Sequence, residues 1–304
     1  MTSRNIEITI GITAFNEGRL LSEAWESVLN QSTNNWKAVL ILDGGADNKT
    51  KKIFENINHF NLTKFSFCNN EGAYVCRTKA IEMSNTNWYF HLDADDRLPS
   101  NSIQLVIKNI QNNSGAEFIA GASKHFSMAP DQIVYPTSDP ELLAITPLFF
   151  PQAPIKKELF NKIGGFHIPD YFFHADWDFW LSVYEKKIVG HSTNDIIYER
   201  RRRNNSLTWQ NLHNLEKCLE LIISRHTLFF NVNDRKQKAR YDLYEKLARH
   251  YKSLGQRYKA AENATKALNY GGEEIIFKAI FQEHKMSYFR YLLRRLGRFN
   301  YKRD

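Results

Sequence analysis

Residues 86–97 read Thr86-Asn87-Trp88-Tyr89-Phe90-His91-Leu92-Asp93-Ala94-Asp95-Asp96-Arg97, a β-forming run that ends abruptly in three carboxylates. Trp88, Tyr89, Phe90 and Leu92 make the run apolar enough for the interior of a sheet. Ending it in Asp93, Asp95 and Asp96 puts negative charge at the carboxyl edge of that sheet, where open α/β folds bind ligands. Asp93 and Asp95 alternate, so both can offer hard oxygen donors to one divalent cation. Such a cation commonly bridges to a substrate diphosphate. The stretch therefore points to a metal-chelated nucleotide. The same acids also suit a plain turn, because Asp bonds its own backbone locally, so the choice rests on what the chain brings alongside them.

Toward the N-terminus, residues 6–12 (Ile-Glu-Ile-Thr-Ile-Gly-Ile) predict a first strand that breaks at Thr13-Ala14-Phe15-Asn16-Glu17-Gly18. Leu20, Leu21, Ala24, Val28 and Leu29 follow at helical spacing, and Trp36 to Leu42 predicts a second buried strand ending at Asp43-Gly44-Gly45. A helix over Thr50 to Ile57, a short strand over Phe65 to Cys68 and a helix over Tyr74 to Met83 lead to the acid-capped strand. Repeated β-α-β order predicts a doubly wound, mostly parallel sheet with right-handed crossovers. Connectivity alone then gathers the three polar loops after the first, second and fourth strands into one crevice.

Beyond the acids, Ile103 to Ile110 predicts a helix, and Phe118 to Ala122 and Gln132 to Tyr135 predict strands. Pro136 to Pro154 is irregular and suits a substrate-side loop. A helix over Lys156 to Ile163 breaks at Gly164-Gly165-Phe166. In His174-Ala175-Asp176-Trp177-Asp178-Phe179-Trp180-Leu181, helical spacing of Trp177, Trp180, Leu181 and Tyr184 sets Asp176 near a helix N-terminus, where capping is its plain role.

Taken together these pieces resemble a family 2 glycosyltransferase of the nucleotide-diphospho-sugar transferase (GT-A) fold, over roughly residues 6–208. Ile8 to Glu17 resembles the family's opening strand and loop, Leu42-Asp43-Gly44-Gly45 its Asp-Asp-Gly-Ser loop, and Asn70-Glu71-Gly72 through Arg77 its Gly-to-Arg segment. Leu92-Asp93-Ala94-Asp95-Asp96 is similar to the metal motif, Ile163 to Phe166 to the lead-in, and Asp176-Trp177-Asp178 to the Glu-Asp-Trp-Asp segment. Leu42, Thr13-Ala14 and Ala175 depart from that pattern, standing for an Asp, a Pro-Thr pair and a Glu.

The resemblance implies roles position by position. Thr13, Ala14, Phe15 and Glu17 would line the base and ribose, Asp43 would accept from the uracil edge, and Arg77 would flank the same pocket. Asp93, followed by Ala94 in the donor site, would orient the ribose or a metal-bound water, and Asp95 would ligate Mn²⁺ or Mg²⁺. Asp176 would be the base that deprotonates the acceptor hydroxyl, giving inversion, with Asp178 structural. Tyr198 to Thr208 resembles the family's terminal Arg-x-His-x-x-Ser-Leu segment, with Arg203 in the His position. Its four arginines suit a solvated basic face, or a grip by Arg201 and Arg203 on the diphosphate.

From Trp209 onward Pro is absent and apolar residues recur every three or four, which predicts an all-α region over 209–304 beside a catalytic domain over 1–208. Tyr244, Leu247, Ala248, Tyr251, Leu254, Gly255, Ala260, Ala267 and Leu268 resemble one tetratricopeptide helix pair near 240–270 with Gly255 at its turn. Plain antiparallel helices explain the spacing as well. A basic amphipathic helix over 288–301 suits either a membrane interface or an oligomer core, such as a homodimer.

The composition supports a globular chain, with 42% hydrophobic and 13% aromatic residues. The net charge of +8 favours phosphate or anionic lipid as partner, and with no nucleic-acid motif in the chain no nucleic-acid partner is expected. Three scattered cysteines make neither a disulfide framework nor a zinc pattern. No segment resembles a signal peptide and no apolar run nears the ~20 residues of a membrane span. The expected location is the cytoplasm or the inner face of the membrane. The expected activity is metal-dependent transfer from a nucleotide-diphospho-sugar, UDP-linked, to a glycan, lipid-linked or peptide acceptor in surface glycan synthesis. Two other classes were weighed: a non-catalytic scaffold on a relic nucleotide fold, and a metal-dependent phosphohydrolase.

Overall fold

Strand β1 (Ile8–Ala14) has Ile8, Ile10 and Ile12 fully buried, and β4 (Trp88–Asp93) has Phe90 and Leu92 fully buried. Runs this apolar belong in a sheet covered on both faces. In the computed structural model, which describes residues 6–127, 130–146, 153–169, 174–203 and 214–271, they form the centre of such a sheet. β2 (Trp36–Leu42) and β3 (Leu62–Ser66) extend it on one side, and β7 (Ile155–Lys156) closes the other, in the order β3-β2-β1-β4-β7. The pairs β1–β2, β2–β3 and β1–β4 are parallel, and only β7 runs antiparallel. Order along the sheet reverses between β1 and β4, which makes the gap between their carboxyl ends a topological switch point.

Helices α1 (Arg19–Leu29), α2 (Asn48–Asn56), α3 (Ala73–Met83) and α4 (Ser102–Asn112) connect these strands. α1 buries Leu21, Ala24, Trp25 and Val28, the i, i+3, i+4, i+7 stripe of a helix on a sheet. α2 starts at Asp47, whose carboxylate accepts from the Thr50 amide at 2.7 Å. β3 begins and ends earlier than the expected Phe65 to Cys68. It is a half-exposed edge strand, so backbone pairing from Ala38–Leu62 to Leu42–Ser66, and not an apolar run, sets its limits.

The sequence pattern did not announce a second, three-stranded sheet, β6-β5-β8. β5 (Ile119–Phe126) pairs antiparallel with β6 (Gln132–Val134) and parallel with β8 (His191–Arg201). β8 is mostly polar and half-exposed, and reads as strand only because β5 supplies its hydrogen bonds. A bridge between Arg97 and Glu199 ties its far end to the chain just after the acid cluster. Inside the segment expected to be irregular lies a short helix, α5 (Pro140–Leu143). α6 (Lys157–Ile163) and α7 (Ala175–Glu185) complete this part.

The chain divides into two compact units, Met1–Asn211 and Leu212–Asp304. The second, described from residue 214 to 271, holds α8 (Leu215–Arg225), α9 (Thr227–Phe230), α10 (Arg235–Ser253) and α11 (Arg257–Leu268). α10 and α11 pack together through Leu243, Tyr244, Leu247 and Ala248 against Ala260, Ala264 and Ala267, with Gly255 in the turn between them. Among the described residues no helix is long and apolar enough to cross a membrane. The basic helix expected over 288–301 lies outside the described residues.

One glycine decides how the loops at the sheet edge approach each other. The Gly44 amide donates to the Asn69 carbonyl at 3.1 Å, and a Cβ at position 44 would sit 2.2 Å from that same oxygen. Gly44→Ala must push the 69–72 loop away from β2. A loss of about 1–3 kcal/mol of stability is expected, read as a lower urea midpoint at unchanged m-value.

Candidate active site

Strand register brings the predicted loops together. Thr13 pairs with Asp93 across β1–β4 and Ala14 with Leu42 across β1–β2, so the segments after each strand leave the sheet at one level. Ala14 and Ala94 are buried beneath this edge, while Thr13, Phe15 and Glu17 are partly exposed on it. The Glu17 carboxylate folds back to accept from the Phe15 amide at 2.6 Å. Burial pushes its pKa up, and the nearby Asp95 adds to that.

Asp43 holds the loop that precedes α3. Its Oδ1 accepts from the amides of Gly44 at 2.9 Å and Glu71 at 2.8 Å, and its Oδ2 from Gly72 at 2.9 Å. The carboxylate expected to read a uracil edge is thus engaged mainly with backbone. The Cys76 thiol also bonds to this carboxylate, which is itself buried.

Arg77 and Asp93 form a largely buried ion pair, Nη2 to Oδ1 at 2.7 Å. His91 completes the group, its Nε2 lying 3.0 Å from Arg77 Nε and 2.9 Å from Asp93 Oδ1, and its Nδ1 3.1 Å from the Tyr89 hydroxyl. Gly11 permits this, since a Cβ there would lie 2.0 Å from the Tyr89 oxygen. Burial and the adjacent guanidinium push His91 down, so it is neutral at pH 7. For Asp93 burial acts upward, but the charge of Arg77 and the hydrogen bond from His91 outweigh it and hold the carboxyl well below its usual range. One oxygen of Asp93 therefore faces inward to Arg77 and His91, where a ribose or metal-water contact was expected.

Asp96 takes the opposite course. Its Oδ2 accepts from the Tyr198 hydroxyl at 2.9 Å and its Oδ1 from the Arg201 amide at 2.6 Å, while the Tyr198 oxygen accepts from the Asp93 amide at 3.1 Å. The third acid of the motif is thus a clasp that fastens β8 to β4. Burial and the charges of Asp93 and Asp95 push its pKa well up.

Of the three acids only Asp96 is buried; the Asp93 and Asp95 side chains keep similar exposure, 25% and 27%, and Asp95 Oδ2 lies 2.8 Å from Arg203 Nη1. Arg201, expected on a diphosphate, serves the scaffold. Its Nε donates to the Asp95 carbonyl at 2.8 Å, its Nη2 pairs with Glu23 at 2.7 Å, and its guanidinium lies 4.6 Å from the Phe126 ring centre. Of the two arginines Arg203 is the more exposed, 39% against 15% for Arg201.

Asp176 occupies the first turn of α7, one residue past Ala175, where His174 is the capping position. Asp176 does not act as the cap: its Oδ1 accepts from the Tyr74 hydroxyl at 2.6 Å. Behind it a cavity of about 20 Å³ is lined by Arg77, Tyr89, His91, Phe166, Asp176 and Trp180. That is room for about one water, so this void is a packing feature behind the site and not a sugar pocket. Tyr74, His91 and Tyr198 were missed in the sequence, and Asp96, read there as the third acid of the run, was given no role of its own.

An open parallel sheet with hard-oxygen acids at its switch point and a further carboxylate opening a nearby helix defines an α/β fold built to bind a charged ligand at one edge. Comparison gives the family. The profile of glycosyl transferase family 2 matches residues 9–175, and the chain belongs to that family and is a glycosyltransferase. The putative teichuronic acid biosynthesis glycosyltransferase TuaG of Bacillus subtilis (strain 168) is 24% identical over 223 residues, 68% of this chain and 84% of that protein. Among solved structures, S. aureus TarS 1-349 in complex with UDP-GlcNAc superposes at a TM-score of 0.56 with 14% identity, covering 87% of this chain and 91% of that one. The mannosyltransferase PcManGT from Pyrobaculum calidifontis, in complex with GDP-Man and Mn²⁺, gives 0.54 at 13% identity, covering 97% and 81%. At these identities the structural likeness is one of fold.

The Arg77–Asp93 pair sets a pH dependence. Asp93 titrates lower when folded than when unfolded, so its stabilisation is complete above about pH 4, the unfolded value, and is lost as pH falls through the folded value. Asp93→Asn strands the buried guanidinium and is expected to cost about 3 kcal/mol at pH 7. Urea unfolding at pH 7 and pH 3 checks this: the gap between wild type and variant should narrow at the lower pH.

Proposed function

We propose that this chain moves a hexose, with inversion, from a UDP-sugar to an acceptor hydroxyl in surface glycan synthesis, assisted by Mn²⁺ or Mg²⁺. The observation that carries this reading is the link from the acid motif to Asp176: Asp93 binds Arg77, Arg77 lies 5.0 Å from the Tyr74 ring centre, and Tyr74 donates to Asp176. Acid motif and base thereby belong to one rigid group. The UDP-GlcNAc complex of TarS supports a uridine donor, and the name of TuaG supports an anionic surface polymer as the product class.

The residues fit a divalent ion that arrives with its diphosphate. Among the described residues no three His, Cys, Asp or Glu side chains gather into a cage. Asp95 offers one hard carboxylate, now neutralised by an arginine that can exchange onto phosphate; one carboxylate with substrate phosphates and waters is the common arrangement for Mg²⁺. When bound, the ion would offset charge growing on the leaving diphosphate. Asp43 keeps the 69–72 loop in place beside the base pocket. Asp176 takes the proton as the acceptor oxygen bonds to the anomeric carbon, and the bond from that carbon to the β-phosphate oxygen breaks with its electron pair leaving on the diphosphate.

We assign catalysis to residues 1–208, and to residues 209–304 the docking of acceptor, partner, membrane surface or a second copy. The relic-scaffold and phosphohydrolase readings gain nothing, because membership of a glycosyltransferase family accounts for the same acids.

Calorimetric titration tests the donor assignment. UDP is expected to bind tightly with Mn²⁺ and weakly without it, GDP weakly in both, and Asp95→Ala should bring the Mn²⁺ titration down to the metal-free level. Asp176→Asn should leave UDP affinity unchanged while turnover falls roughly 10²- to 10⁴-fold. Failure of either nucleotide to bind under any of these conditions would overturn the reading.

A further inference from the structure

Tyr74 stands two residues into α3, and no role in the expected chemistry called for it. Its hydroxyl is 2.6 Å from Oδ1 of Asp176, 102 positions along the chain. The ring has little freedom to leave: the Arg77 guanidinium lies 5.0 Å from its centre and the Phe166 ring meets it edge-on at 5.2 Å. Phe166 is itself packed on Phe160 at 5.2 Å and Phe179 at 5.6 Å. At the other end, the helix that carries Tyr74 starts at Gly72, whose amide is held by Asp43.

We infer that Tyr74 is the positioning residue of the base: by donating to one oxygen of Asp176 it fixes the carboxylate and leaves the other oxygen to take the acceptor proton. This rests on the reading of Asp176 as the base. A carboxylate has four lone-pair sites, and a short charge-assisted bond to one oxygen orients the second without blocking it. Burial and the neighbouring Asp176 push the Tyr74 hydroxyl well above its ordinary range, so it remains a donor wherever the enzyme works. The Asp43–Gly72 bond further ties the start of α3 to the donor edge, so base and nucleotide loop share one helix as their reference.

The test is a double-mutant cycle on release of nucleoside diphosphate, with water as acceptor, from a panel of UDP- and GDP-sugars in Mn²⁺. Donor binding and melting temperature are followed alongside. Tyr74→Phe keeps both ring contacts and removes the hydroxyl. It should lower kcat on the order of ten- to a hundredfold, with donor affinity and melting temperature unchanged. In an Asp176→Asn background the same change should cost nothing more, since its effect runs through Asp176.

A wild-type kcat for Tyr74→Phe beside a collapsed Asp176→Asn would overturn the positioning role and leave the base standing. A full additional loss in the double variant would also overturn it, by showing that Tyr74 acts independently. Turnover retained within tenfold in Asp176→Asn, or a wild type that releases nothing from any donor, would overturn the reading beneath it and this role with it.

Discussion

The ion pair between Arg77 and Asp93 is the constraint around which the site is arranged. A guanidinium this deep is tolerable only beside a counter-charge, which Asp93 supplies at 2.7 Å, with the His91 ring next to both. Those partners come from β4, while Arg77 itself comes from α3, so the pair fixes the helix against the strand at the switch point. From there order spreads in two directions. The start of α3 is held to the end of β2 through Asp43, and Tyr74 on the first turn of α3 reaches α7 and Asp176.

Three acids within four residues would repel one another if all faced the same way. The fold separates them by task. Asp93 turns in to a cation, Asp96 turns to the β8 clasp formed by Tyr198 and the Arg201 amide, and Asp95 pairs with Arg203. Their titration follows the partners: Asp93 is held down by Arg77, while Asp96, whose partners are a hydroxyl and an amide, is driven up by burial and its neighbours' charges. An arginine on Asp95 keeps that carboxylate compensated, and a half-exposed partner can be exchanged at low cost. Arg201 shows the contrast, since three separate contacts hold it in the scaffold.

The parallel sheet and the loops at its edge were legible because their signals are local. An apolar strand, a glycine-rich turn and an acid run can each be read within about ten residues, and β-α-β succession determines which edge the loops share. β8 was not legible, because its residues do not alternate and its hydrogen bonds are satisfied by β5, some seventy residues away. Tyr74 and His91 were not legible either. A tyrosine early in a helix and a histidine inside a strand have bland roles in most folds, and here Tyr74 reaches Asp176 across 102 positions while His91 meets Arg77 from a neighbouring helix.

Sequence by itself determined the order of elements, the edge on which the chemistry gathers, the family to which the motifs belong and the candidate base. Periodicity and turn chemistry act between near neighbours, so a linear reading captures them. Only the tertiary structure decided that Asp93 pairs with Arg77, that Asp96 fastens a strand, and that Asp176 is gripped by Tyr74. Those choices depend on burial and on partners 16 to 105 positions apart, and they follow from which side chains the closed fold leaves without water.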